Sequence, residues 1–190
     1  MKTTKMMIVG VGGQGTLLAS KLLGRLFLDK GYDVKVSEVH GMSQRGGSVV
    51  TYVCFGDKVY SPVIDRGEAD YIISFELLEA ERWAGYLNEN GKIITNTQRI
   101  NPMPVITGDA EYPENILGKL GSAGIFTDSV DALKIAEEVG SPKVVNLVLL
   151  GRLSKYFPYP EEEWLEIIRQ MVPQNYLEMN VKAFLLGRNS

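Results

Sequence analysis

The sequence is poor in the residues that hold metals and disulfides. Its 190 residues include one cysteine, Cys54, and one histidine, His40. A lone cysteine excludes a disulfide within the chain and points to a reducing compartment. It also excludes an iron–sulfur cluster held by this chain, since such clusters take about four thiolates. One cysteine and one histidine do not make a zinc site, so no metal site is expected. A basic excess is missing as well: the formal net charge is −3, and no aromatic platform sits among the lysines and arginines. Nucleic acid is therefore not an expected partner. No apolar run is long enough to span a bilayer, and the polar start Met1–Lys5 leads directly into a strand with no apolar leader. The expected location is the cytoplasm, with no membrane partner. Repeats and low-complexity tracts are absent too.

What is there reads as an ordinary globular protein, 45% hydrophobic and 23% charged. Lys5–Gly10 is a buried strand, and Gln14–Lys30 carries Leu17, Leu18, Leu22 and Leu26 at helical spacing, stopped by Gly31. Tyr32–Ser37 alternates as a second strand. Ser48–Phe55 and Lys58–Tyr60 flank Gly56-Asp57 and predict a hairpin. Asp70–Phe75, a helix over Leu77–Leu87, and a strand over Lys92–Asn96 follow. Asn101–Asn115 is turn-rich. Gly124–Thr127 suits a short strand, and Asp128 suits the cap of a helix reaching Val139. Ser141-Pro142, Pro160 and Pro173 punctuate three closing helices. The expected fold is α/β: a Rossmann-like three-layer domain with a strand-hairpin insertion and a C-terminal helical appendage. It is one domain over residues 1–190, with helices from about 141 to 190 packed on it.

Two glycine-rich segments carry the chemistry. Gly10-Val11-Gly12-Gly13-Gln14-Gly15 matches G-x-G-x-x-G between a strand and a helix. Such glycines allow a tight turn and let a ligand approach backbone N–H groups at a helix start. Glu38 lies 23 residues past Gly15, near the end of the second strand, where an acid would meet a ribose hydroxyl. On spacing alone this is an NAD site, although a glycine loop and an apparent hairpin stand where a dinucleotide fold places its next crossover helix. The same glycines also serve tight strand–helix packing without any ligand. The second segment, Glu38-Val39-His40-Gly41-Met42-Ser43-Gln44-Arg45-Gly46-Gly47, collects an acid, the histidine, an amide, a guanidinium and three glycines. Arg45 suits a carboxylate or phosphate, and His40 titrates near neutrality if unperturbed, which makes it a weak catalytic candidate. Gly12, Gly13, Gln14, Gly15, Glu38, Gln44, Arg45 and Gly46 form the candidate cofactor-binding set. Cys54 suits a buried, inert thiol, and Glu76 suits either a ligand contact or the opening of the next helix.

The runs GVGGQGTLLASKLL, SEVHGMSQRGGSVVTYVCFG, SPVI and EADYIISFELLEAER, with NVKAF and Gly187 near the end, resemble the indolepyruvate:ferredoxin oxidoreductase β subunit. More broadly they are similar to the γ subunit or domain of 2-oxoacid:ferredoxin oxidoreductases. The resemblance covers nearly the whole chain, and the HGMSQ segment favours the aryl-pyruvate branch. It implies oxidative decarboxylation of an aryl 2-oxoacid to an aryl-acetyl-CoA, with coenzyme A as cosubstrate and ferredoxin as electron acceptor. It further implies that thiamine diphosphate and iron–sulfur clusters sit in a large α subunit. This chain would complete the site, stay inactive alone, and form a homodimer when isolated. The alternatives are a γ-type subunit for another 2-oxoacid and a stand-alone NAD-binding protein.

Overall fold

The computed structural model describes residues 3–38 and 46–190. Six strands form one sheet: β1 (Thr4–Val11), β2 (Asp33–Glu38), β3 (Ser48–Gly56), β4 (Ala69–Ser74), β5 (Leu87–Asn96) and β6 (Phe126–Val130), in the order β2-β3-β1-β4-β5-β6. β1, β4, β5 and β6 are parallel neighbours, whereas β3 is antiparallel to both β1 and β2. The helices are α1 (Thr16–Asp29), α2 (Leu77–Trp83), the single turn α3 (Met103–Ile106), α4 (Ile116–Ser122), α5 (Ala132–Val139), α6 (Val145–Ser154), α7 (Glu161–Met171) and α8 (Gln174–Asn189).

The sheet is buried on both faces, which is why its strands read as apolar runs. Alternate residues of each strand serve opposite layers. Met6, Ile8, Val53, Phe55, Ile73 and Ile94 point to the side covered by α1 and α5–α8, where Phe27 stacks on Phe55. Met7, Val9, Val50, Cys54, Ile72 and Ile93 point to the side that also holds Ala80 of α2 and Ile116 and Leu120 of α4. This is the expected three-layer α/β class. The C-terminal helices are less an appendage than the greater part of one layer. α6 is buried almost all round, the signature of a core helix. It meets α8 backbone to backbone: a Cβ at Gly151 would lie 2.0 Å from the Phe184 carbonyl oxygen, and one at Gly187 would lie 2.0 Å from that of Val148.

Local signals act as the physical chemistry requires. Gly31, at φ 82°, turns the chain out of α1, and Pro160 precedes an α7 whose first turn is Glu161, Glu162 and Glu163. Two expectations need correction. Lys58–Tyr60 forms no strand, so there is no hairpin about Gly56-Asp57; β3 pairs instead with β1 and β2. Asp128 lies within β6, where it accepts hydrogen bonds from Arg152 Nη2 and Tyr156 Oη, both at 2.6 Å. The cap of α5 is Asp131, which accepts from the Lys134 N–H at 3.0 Å. Helix α4 emerges just beyond the turn-rich stretch, its short apolar signal being Ile116 and Leu120. Among the described residues, no helix is long and apolar enough to cross a membrane.

Candidate functional site

Three of the loop's four glycines have separable causes. A Cβ at Gly10 would stand 2.9 Å from both Phe75 Cβ and Gln14 Oε1, so this glycine is demanded by packing. Gly13 and Gly15 have φ of 102° and 88°, a region costly for residues with a Cβ. Gly15 is also the residue from which α1 starts. Gln14 locks the turn from inside. Its Oε1 accepts from the Val11 N–H at 2.8 Å, and its Nε2 donates to the Phe75 carbonyl at 3.0 Å and to Gln98 Oε1 at 3.2 Å. Its own backbone N–H donates to the Val11 carbonyl at 3.2 Å.

The glycine loop forms a ridge between two clefts. The larger, about 530 Å³, lies between the loop and the junction of α5 and α6, with Gln98, Leu133, Pro142, Lys143, Val145 and Asn146 on its walls. The smaller, about 320 Å³, holds Gly12, Gly13, Gly15, Thr16, Leu17, Glu38, Val49 and Thr51. The second segment is joined to the first, since the Gly12 N–H donates to the Gly47 carbonyl at 2.9 Å. Ser48, at the start of β3, donates in turn to the buried carboxylate of Glu79 on α2.

Polar residues at the carboxyl ends of β4 and β5 brace this edge. Asn96 Oδ1 accepts from the Ala132 N–H at 3.1 Å, and its Nδ2 donates to the Phe75 carbonyl at 3.2 Å and to Gln98 Oε1 at 3.3 Å. Glu76 resolves as the opening of α2. One of its oxygens accepts from the Glu79 N–H at 2.9 Å, the other from the Ile100 N–H at 3.0 Å and from Tyr112 Oη at 2.5 Å. Burial, with the Glu76 carboxylate beside it, pushes the Tyr112 phenol far above its ordinary value.

Of the candidate set, Gly12, Gly13, Gly15 and Glu38 meet in the smaller cleft. Glu38 also accepts from Ser20 Oγ of α1 at 2.9 Å. Gln14 lines the larger cleft. Its side chain is engaged internally and ties the loop to the sheet. Gly46 stands at φ 89°, a conformation that explains its identity. His40, Gln44 and Arg45 lie outside the described residues. Cys54 is buried beneath the sheet, and burial raises its thiol to about 11. The sheet order speaks against the dinucleotide alternative. There the strand beside β1 would be the parallel β2, whereas here antiparallel β3 intervenes. Gln98, Asn96 and Lys143 were missed from sequence. The run Ile93-Ile94-Thr95-Asn96-Thr97-Gln98 turns polar where β5 ends, and in open α/β sheets that end is where ligands gather.

The family described as pyruvate ferredoxin/flavodoxin oxidoreductase matches residues 5–190. The chain belongs to that family. Over 193 aligned residues it is 46% identical to the indolepyruvate oxidoreductase subunit IorB of Pyrococcus horikoshii and 45% identical to that of Thermococcus kodakarensis. Each alignment covers 98% of this chain and 95% of the relative. The fold is shared with the 2-oxoglutarate:ferredoxin oxidoreductase of Magnetococcus marinus, solved with 2-oxoglutarate, coenzyme A and succinyl-CoA bound. The TM-score is 0.76 at 19% identity, over 100% of this chain and 31% of that one. Membership gives the glycine-loop edge a context: a family in which relatives of this chain are named as subunits.

Proposed function

We propose that this chain is the β subunit of an indolepyruvate:ferredoxin oxidoreductase, a single γ-type domain that works in a complex with a large α subunit. The near-full-length identity to two chains named as indolepyruvate oxidoreductase subunits carries this reading. The reaction is the coenzyme A-dependent oxidative decarboxylation of an aryl 2-oxoacid, with electrons passed to ferredoxin. Thiamine diphosphate and the iron–sulfur clusters belong to the α subunit. This chain's own residues do not suit a cluster, because Cys54 is buried in an apolar layer with its thiol held protonated. When bound in the partner, thiamine diphosphate supplies the carbanion chemistry.

The part left to this subunit is to bind, orient and exclude water. The paired glycine segments bring backbone N–H groups of the loop and the α1 start to one strand edge, suited to the phosphates of coenzyme A. Arg45 adds a charged fork for a phosphate or carboxylate. Gln14 and Gly47 hold the first loop in place. Sedimentation of the purified chain, alone and mixed with the α subunit, tests the reading. The expected result is a homodimer alone, without bound iron, and a heteromeric complex in the mixture. A strict monomer that ignores the α subunit contradicts it.

A further inference from the structure

The hydrogen-bond network under the glycine loop fixes which way one side-chain amide faces. Asparagine and glutamine ends are assigned from their partners. The Val11 N–H can only donate, so the Gln14 end facing it at 2.8 Å is the oxygen, and Gln14 offers its N–H₂ to Gln98 at 3.2 Å. The Ala132 N–H likewise fixes Asn96 Oδ1 at 3.1 Å, and Asn96 offers its N–H₂ to Gln98 at 3.3 Å. Two independent amide donors therefore converge on the same atom of Gln98, which has to be its oxygen. The Leu77 N–H holds the Gln98 carbonyl at 2.9 Å and anchors the backbone. The N–H₂ of Gln98 is left on the other side. Among the described residues it donates to no protein acceptor, and Gln98 lines the larger cleft.

We propose that Gln98 is a ligand-recognition residue, whose oriented N–H₂ donates to an oxygen acceptor of the molecule that fills the cleft between the glycine loop and α6. The remaining walls describe the occupant. Leu18, Leu133 and Val145 are apolar, and Lys143 contributes a cation. They suit a molecule with an apolar body and a carbonyl, carboxylate or phosphate oxygen. The proposal rests on the subunit reading for its choice of ligands. Coenzyme A and indolepyruvate both carry that chemistry.

Gln98→Glu is the informative variant. A carboxylate keeps one oxygen for the Gln14 and Asn96 amides and turns the outward donor into an acceptor. In the reconstituted complex the KM for coenzyme A or for indolepyruvate should rise about tenfold or more. The effect should fall on KM rather than on kcat, with the melting temperature of the subunit unchanged. The same substrate, titrated into the isotope-labelled wild-type chain, should shift the Gln98 side-chain amide signals, and which substrate does so names the source of the oxygen. Wild-type KM values in an active Gln98→Glu complex overturn the proposal and leave the subunit reading standing. If the wild-type chain gives no active complex, the subunit reading fails. The titration then decides alone: a shift with either compound supports the recognition role, and no shift with both overturns it.

Discussion

The Gly12 N–H donates to the Gly47 carbonyl at 2.9 Å, so the two glycine-rich segments are hydrogen-bonded to each other at one strand edge. The pairing of Val11 with Ser48 at the end of the β1–β3 ladder leads directly into this contact. The described end of the second segment is thus tied to the first loop. In the reconstituted complex, Arg45→Ala should raise the coenzyme A or 2-oxoacid requirement about ten- to a hundredfold, the cost of one charge-assisted contact. Gly13→Val should impair the same step, because its position at φ 102° on the wall of both clefts places a side chain where a ligand would approach. If both changes lower only melting temperature or subunit association, with kinetic constants of the intact complex unchanged, the loops are scaffold and not ligand site.

The contact of α6 with α8 makes a stability prediction independent of function. Gly151→Ala and Gly187→Ala each place a Cβ 2.0 Å from a carbonyl oxygen of the facing helix. The helices have to separate, and overpacking of this kind costs about 1–3 kcal/mol or more. Urea unfolding should show the loss for either variant. Gly121→Ala, whose Cβ would meet nothing within 4 Å, should be tolerated. Equal stability for all three would contradict the close packing.

Burial sets the behaviour of Cys54 toward pH. Its thiol is raised from an ordinary 9.0 to about 11, chiefly by desolvation. In the folded chain the group stays protonated where the unfolded chain has already ionised. Its contribution to stability is therefore full below about pH 9 and lost as pH rises through about 11. Burial raises Tyr52 and Tyr71 in the same direction, so their contributions fade on the same alkaline limb. Melting temperature measured across that window should fall, and Cys54→Ala should make the fall shallower. Alkylating reagents should leave the native thiol unmodified at neutral pH and label it after denaturation. Rapid labelling of the native chain would show that Cys54 is not buried as described.

Much of the fold was legible because its elements have strong local causes. The β1 run, the α1 leucines with Gly31 behind them, and the proline-marked α7 and α8 announce themselves through periodicity and punctuation. The partner of β3 was not legible. Gly56-Asp57 has the composition of a hairpin turn, yet β3 inserts between β2 and β1, and that choice is made by the two apolar layers rather than by the turn. Asp128 illustrates the same limit. A capping residue type three positions early is indistinguishable in sequence from the real cap, Asp131, until Arg152 and Tyr156 arrive from another helix and its end. At the site, the glycines were visible as a motif, and Glu38 shares their cleft. The bracing of the loop by Gln14 was not legible, because its partners, Phe75 and Gln98, are far away in sequence.

Reconstitution tests the proposed function most directly. The purified chain, the large α subunit and their mixture are assayed for reduction of ferredoxin with indolepyruvate and coenzyme A. The chain alone should be colourless and inactive, and the mixture should reduce ferredoxin only when both substrates are present. A mixture that forms yet shows no such activity, or a chain that alone binds NADH and shifts its fluorescence, would contradict the assignment.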